Sequence, residues 1–250
     1  MPNPQTEHSK RPAWKRAVGL VLKRGIGWRF RNFDPNHQPE RWVRIEGLKL
    51  RVLPGVFNPR LHFTSAFLVE YLRRPGTVRR ESSILDLGTG TGIAAIAAAQ
   101  AGAGRVVAID INPDAVRCAA YNVRRHRLHE VVEVRQGDLF EPVRGEHFDL
   151  IISNPPYFKG VPHTLAEHAY MGGAQYEWLE RFAAQALTYL SPAGRAIIVL
   201  GDAADVPAIL NRVAAVGWHI EEVARRDILV EVLHIFCLTQ AGSERKIYLY

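Results

Sequence analysis

The chain has 250 residues, 47% apolar and 23% charged, which fits one folded domain with an appendage and excludes a wholly disordered chain. No apolar run reaches the ~18 residues that span a bilayer, and residues 18–22 fall short of the ~7–15 apolar residues of a secretory signal, so stable membrane insertion is not expected. The net charge of +7 is carried wholly by residues 1–50, with eleven Lys/Arg against four acids; the other 200 residues net zero.

In chain order, residues 1–42 read as a basic arm and linker and residues 43–250 as one catalytic domain. Residues 1–11 are Pro-rich and polar, residues 12–30 have the spacing of a short basic helix, and residues 32–40 are a turn-rich linker. The arm's cations suit phosphates of RNA or of a ribonucleoprotein. A basic helix lying on a membrane surface, with Trp14, Val18 and Val21 on one face, is a competing reading, as is a solvated face packed through its tryptophans. Residues 43–53 alternate around Glu46-Gly47, as a hairpin does. Residues 61–72 predict a helix with Phe63, Phe67, Leu68 and Tyr71 turned inward.

From Ser83 the rhythm becomes strand then helix. Strands are predicted at 84–87, 105–109, 131–135, 148–153, 195–200 and 232–239, with helices after Gly92 and at 113–125, 176–190 and 206–216. Such alternation implies an α/β, doubly wound, mostly parallel sheet, with ligands bound at the carboxyl edge of the strands. Cys118 and Cys237 form no CxxC pair and read as reduced thiols of a cytoplasmic protein. The histidines show no metal-ligand spacing, so no metal is expected.

Four sites fall on that edge. Asp86 precedes a turn with Gly88, Thr89, Gly90 and Gly92, whose glycines admit a ligand close to the backbone. No Lys-Ser/Thr follows, so this is not a phosphate-binding P-loop, and the acid suits a cationic ligand. Asp110, followed by Ile111, ends the second strand about 20 residues on, where an acid accepts hydrogen bonds from ribose hydroxyls. Asp138 and Leu139 follow the third strand, placed for an adenine amino group and ring. Ser153-Asn154-Pro155-Pro156-Tyr157 follows the fourth. Its prolines fix the backbone and lack donors, so the Asn154 side-chain oxygen and the Pro155 carbonyl can both accept from one planar NH2 group while Tyr157 stacks on it.

DLGTGTG, Asp110, Asp138 and NPPY together resemble a class I S-adenosylmethionine-dependent methyltransferase acting on nitrogen. The resemblance implies a seven-stranded Rossmann-like sheet with a reversed last strand at 232–239, S-adenosyl-L-methionine as cofactor, and Asn154, Pro155, Pro156 and Tyr157 as catalytic residues. Within that class the chain is most similar to the HemK/PrmC family, which methylates a glutamine side chain of protein release factors. The likeness lies in Phe57-Asn58-Pro59-Arg60 before Thr64-Ser65, and in Ala169-Tyr170-Met171-Gly172-Gly173 after NPPY. It implies substrate contacts at Arg60, Thr64, Phe158 and Gly172. Thr64 stands one residue farther from Arg60 than in the family pattern, and the arm is too short and too basic to be the helical N-terminal domain that the family's bacterial members carry for the release factor. NPPYF also resembles tRNA adenine-N6 enzymes, so an RNA adenine or guanine amine is the alternative acceptor and a small-molecule amine a further one. His168 is a candidate substrate contact. A nicotinamide oxidoreductase would share the glycine turn but leaves NPPY unexplained, and a non-catalytic RNA-binding module leaves the intact acids unexplained.

Overall fold

The computed structural model describes residues 39–60, 63–229 and 231–242. The expected arm helix at 12–30 and the disordered 1–11 lie outside those residues.

Strands β1 (Arg41–Ile45) and β2 (Leu48–Val52) form the expected antiparallel hairpin. Glu46 and Gly47 turn it with φ of 47° and 77°, the left-handed pair that a two-residue turn between right-twisted strands needs. Val43, Ile45, Leu48, Leu50 and Val52 face the core, and Trp42, Arg44 and Lys49 face out.

The main sheet has seven strands: β3 (Ser83–Leu87), β4 (Arg105–Asp110), β5 (Val132–Gln136), β6 (Phe148–Ser153), β7 (Leu190–Gly201), β8 (Trp218–Ile228) and β9 (Glu231–Gln240). Their order is β5-β4-β3-β6-β7-β9-β8, and β9 runs antiparallel to both its neighbours. Helices α1 (Phe63–Leu72), α2 (Ile93–Gln100) and α3 (Pro113–Arg125) join the hairpin on one face; α4 (Glu177–Ala186) and α5 (Val206–Ala215) cover the other. Successive strand residues divide between these layers. Ile84, Val106, Ile152 and Ile197 go to the first, while Leu85, Val107, Ile151 and Ile198 go to the second. Both faces are therefore buried, which is why these strands read as continuous apolar runs.

The chain leaves β3 toward β4 on one side, and β6 lies on the other, so the loops after β3 and β6 part over a crevice. Leu87 pairs with Ser153 at the top of these strands, and the Ser153 hydroxyl donates to the Leu87 carbonyl at 2.9 Å. The two motifs that flank the crevice thus start from one level. Helix α3 carries its own start signal: Asn112 caps Asp114 N–H at 2.9 Å, Pro113 opens the first turn, and Arg124 and Arg125 close the last.

Three expectations need correction. Phe63 does not turn inward but is 52% exposed, because it opens α1 beside the cleft where the packed layer ends. Residues 187–190 do not continue α4; a short 3-10 turn leads into β7, which starts at Leu190 rather than 195. Strand β8 was not anticipated from its own pattern, because Trp218–Ile228 is a charged outer strand with little apolar alternation.

Candidate active site

The cleft at the switch point is lined by the glycine turn, the ends of β4 and β6, the segment before α1 and the loop after NPPY. Asp86 lies at its floor, 2% exposed. One carboxylate oxygen accepts from Thr89 Oγ1 at 2.7 Å and from Ala95 N–H at 3.1 Å, which fixes the turn to the first coil of α2. Burial pushes its pKa up to about 6, opposed by these two hydrogen bonds and reinforced by the nearby Asp110.

Gly88, Gly90 and Gly92 have φ of 74°, 56° and 81°. Gly92 is further constrained from outside, since a Cβ there would meet Ala119 of α3 at 3.2 Å. The Gly88 and Thr89 N–H groups donate to the Ile109 carbonyl at 2.9 and 3.0 Å, seating the turn on β4. Asp110 finishes the clamp: one oxygen accepts from Gly90 N–H at 2.8 Å and the other from Asn112 N–H at 3.0 Å. Its pKa is raised by burial, against those backbone bonds and the attraction of His168.

Asp138 and Leu139 line the cleft where the adenine expectation put them. Leu139 is 5% exposed and takes a left-handed φ of 49°. Asp138 is bonded to Arg181 of α4 at 2.5 Å, and Trp178, one turn earlier on that helix, also lines the cleft. No linear pattern announces these α4 residues, because Arg181 lies 43 positions from its partner.

Asn154, Pro155, Pro156, Tyr157 and Phe158 form the opposite wall. Nothing among the described residues bonds the Asn154 side-chain amide, which is half-buried at the cleft surface. Tyr157 is part of the packed wall at 6% exposure, its ring tilted against Phe158 with centroids 5.1 Å apart. Burial raises its phenol pKa, with the Thr64 hydroxyl beside it drawing the other way. Thr64 is itself 1% exposed, lines the cleft, and has its hydroxyl in no hydrogen bond of good geometry.

The segment after NPPY closes back on it. Phe158 N–H donates to the Tyr170 carbonyl at 3.0 Å, Gly172 N–H to the Phe158 carbonyl at 2.9 Å, and Gly160 and Gly173 exchange both bonds at 3.1 Å. Residues 161–169 are thereby held as a loop over the cleft, with Leu165, His168 and Tyr170 on its lining. Tyr170 meets Phe57, from the segment after β2, with ring centroids 5.4 Å apart. The two segments thus touch across the cleft. Asn112 anchors the first of them by donating to the Gly55 carbonyl at 3.0 Å.

Of the expected substrate contacts, Thr64 and Phe158 line the cleft. Arg60 is exposed and does not line it. Gly172 lies behind the wall: a Cβ there would stand 2.3 Å from the Pro156 carbonyl oxygen, so its part is to let the returning strand pack on NPPY. Phe57, Ser65, Trp178 and Arg181 join the lining without a motif to predict them.

This sheet order, with a clamped glycine turn facing an NPPY wall, defines a class I S-adenosylmethionine-dependent methyltransferase. The chain belongs to the methyltransferase small domain family, whose description matches residues 47–227. Over 198 residues it is 31% identical to a candidate protein N5-glutamine methyltransferase of Methanocaldococcus jannaschii, covering 77% of this chain and 96% of that one. It is 34% identical over 166 residues to the release factor glutamine methyltransferase of Geobacter sulfurreducens, covering 62% of this chain and 56% of the relative, so it spans little more than half of that protein. Among solved structures, the T. thermophilus 16S rRNA N2 methyltransferase in complex with AdoMet and guanosine superposes with a TM-score of 0.58 at 21% identity, covering 81% of this chain and 50% of that one. That likeness is one of fold.

Proposed function

We propose that this chain methylates the side-chain amide nitrogen of a glutamine in a protein. The observation that carries the reading is the wall itself: a half-buried Asn154 amide with no partner among the described residues, followed by two prolines that fix the backbone and bring no N–H of their own to the wall. The relatives named for glutamine methylation support it.

The cleft fits S-adenosylmethionine. Asp110, buried at the strand end and raised in pKa, offers an acceptor for ribose hydroxyls beside a turn whose glycines expose backbone. Asp138 has one oxygen held by Arg181 and the other left for an adenine amine, with Leu139 for the ring. Asp86 places a carboxylate beneath a ligand that carries positive charge. When bound, S-adenosylmethionine supplies a methyl group already activated by its sulfonium.

The protein's remaining task is alignment. The Asn154 oxygen and the Pro155 carbonyl accept the two N–H bonds of the acceptor amide, which fixes the direction of its lone pair. An amide nitrogen is a poor nucleophile because that lone pair is delocalised. The same two acceptors favour the positive charge that gathers on nitrogen as it bonds to the methyl carbon. The proton leaves after transfer, and no strong base is required.

An RNA adenine or guanine amine is the second reading, supported by the NPPYF wall and by the fold shared with an rRNA methyltransferase. Cytoplasmic placement belongs to this proposal; no helix among the described residues is long and apolar enough to cross a membrane. The phosphate-binding role of the arm belongs to it too; the boundary expected at 42/43 falls inside β1, which begins at Arg41.

The test uses the full chain, radiolabelled S-adenosylmethionine and whole-cell extract, with Asn154→Ala as blank. Label that is protease-sensitive and recovered as methylglutamine supports the reading. Nuclease-sensitive label overturns it in favour of the RNA amine, and label in small molecules overturns both.

A further inference from the structure

We propose that the outer face of the β1–β2 hairpin, together with the last turn of α3, is a docking surface for the phosphate backbone of single-stranded RNA. The surface is separate from the cleft and stands whether or not RNA is the methyl acceptor.

The hairpin register places Trp42 opposite Arg51 and Arg44 opposite Lys49. Like charges directly across a ladder destabilise a hairpin, so the Arg44–Lys49 pair works against folding. Carboxylates among the described residues do not relieve it. Glu40 is taken up by Arg51 in two hydrogen bonds of 2.7 and 2.6 Å, and Asp114 is paired with Arg117. Among the described residues no carboxylate pairs with Arg44, Lys49 or Arg125. The Trp42 ring partly balances Lys49 and Arg125, which leaves the Arg44–Lys49 repulsion without a carboxylate among the described residues; an anion that arrives from outside relieves it.

Trp42 gives that anion its character. It is 43% exposed, with Lys49 Nζ 5.1 Å and Arg125 Cζ 4.8 Å from the ring centre, and Tyr121 meets it edge-on at 6.1 Å. Lys49 and Arg125 lie over the ring, so an incoming unpaired base takes the place of one of them on the indole and the displaced cation turns to a phosphate. The strand residues between these cations, Val43 and Leu50, are buried beneath the face, which leaves one exposed ring and no apolar area to enter a lipid surface. A protein partner would likewise find no apolar patch to bury.

The surface is rigid and well placed. Asn122 of α3, fully buried, accepts from Arg51 N–H at 2.8 Å and donates to the Arg51 carbonyl at 2.9 Å, locking the hairpin to the helix. Strand β2 runs on into the segment with Gly55 and Phe57 on the cleft, so RNA on this face lies beside the active site. Residues 1–38, which precede the hairpin in the chain, carry eight Lys/Arg and two acids.

The experiment is fluorescence anisotropy of the full chain with a fluorescein-labelled 20-nucleotide oligoribonucleotide of mixed sequence, between 50 and 300 mM KCl. Binding should fall with salt. The triple variant R44Q/K49Q/R125Q should bind at least about tenfold more weakly at low salt, and its log–log salt slope should be shallower by about 2, for three lost phosphate contacts. Trp42→Ala should lose about tenfold with the slope kept, as for a lost stacking contact. Arg144→Gln, in the loop between β5 and β6 on the other layer, should stay within twofold. Retained S-adenosylmethionine binding by calorimetry identifies the variants that remain folded. RNA binding by the folded triple variant equal to that of the unaltered chain overturns the proposal, because the cations of residues 1–38 then carry it. No RNA binding at 50 mM KCl overturns it as well, as does binding to phosphatidylserine vesicles that the triple variant loses while RNA binding is unchanged.

Discussion

Gly172→Ala tests the link between the returning strand and the catalytic wall. The added Cβ would lie 2.3 Å from the Pro156 carbonyl oxygen and 3.2 Å from its carbon, whereas ordinary contact begins at 3.4 Å. Relief therefore needs a movement of about 1 Å, and the atom that blocks is backbone, not a side chain that can swing aside. Pro156 is fixed in φ, and Asn154 and Pro155 precede it directly, so the movement is passed to the two acceptors that hold the substrate amide. Misplacement by about 1 Å costs roughly 10²-fold in a reaction that depends on alignment. Stability should fall by about 1–3 kcal/mol, the usual cost of overpacking. The cofactor residues, on β3, β4 and the loop after β5, lie across the cleft and should be untouched. The assay pairs kcat on the acceptor identified by the labelling experiment with calorimetric S-adenosylmethionine affinity. The expected result is a kcat about 100-fold lower with cofactor affinity within threefold. A variant with unaltered kcat would refute the argument, and so would equal losses in kcat and cofactor affinity.

Other perturbations address the remaining parts of the site. Asn154→Ala should lower kcat by ~10²–10³ with a much smaller change in cofactor affinity, since it removes an acceptor used in the transition state; equal losses in both would refute that role. Asp86 has a folded pKa of about 6, above its ordinary value, so the folded state binds the extra proton and stability declines as pH rises from about 4 to 6. The decline attributable to this group is about 3 kcal/mol, complete above pH 6 and absent below pH 4. Asp86→Asn, which can still accept from Thr89 and Ala95, should flatten denaturant-derived stability over that window, and an unchanged pH profile would contradict the assignment. Cys118 is buried and its thiol is pushed up to about 11, so the folded chain should resist alkylation there at pH 8, as peptide mass spectrometry of iodoacetamide-treated protein would show.

The legible parts of this protein are those in which one short segment does a whole task. Continuous apolar runs marked the central strands because both of their faces are buried. Glycines at 88, 90 and 92 marked a turn because glycine takes the left-handed backbone it needs at the least steric cost. Asp110, Asp138 and Asn154 could be placed because each lies at or just past the end of a strand, and the doubly wound connection brings the ends of the parallel strands to one edge. Strand β8 and the outward turn of Phe63 escaped because their environment is set by what packs beside them. An outer strand keeps charged residues on both faces, and the first residue of a helix at a cleft has no layer above it.

The sequence by itself determined the central strands, the glycine turn and the wall that faces it, since these follow from local backbone preference and hydrophobic period. Only the tertiary structure decided which partners each acid holds, that Arg181 reaches Asp138, that Gly172 packs against the Pro156 carbonyl, and that Arg44 faces Lys49 beside Trp42 on one surface. Those facts depend on distances between residues far apart in the chain or across a strand pair. Such distances are fixed by the packing of layers, which no single segment encodes.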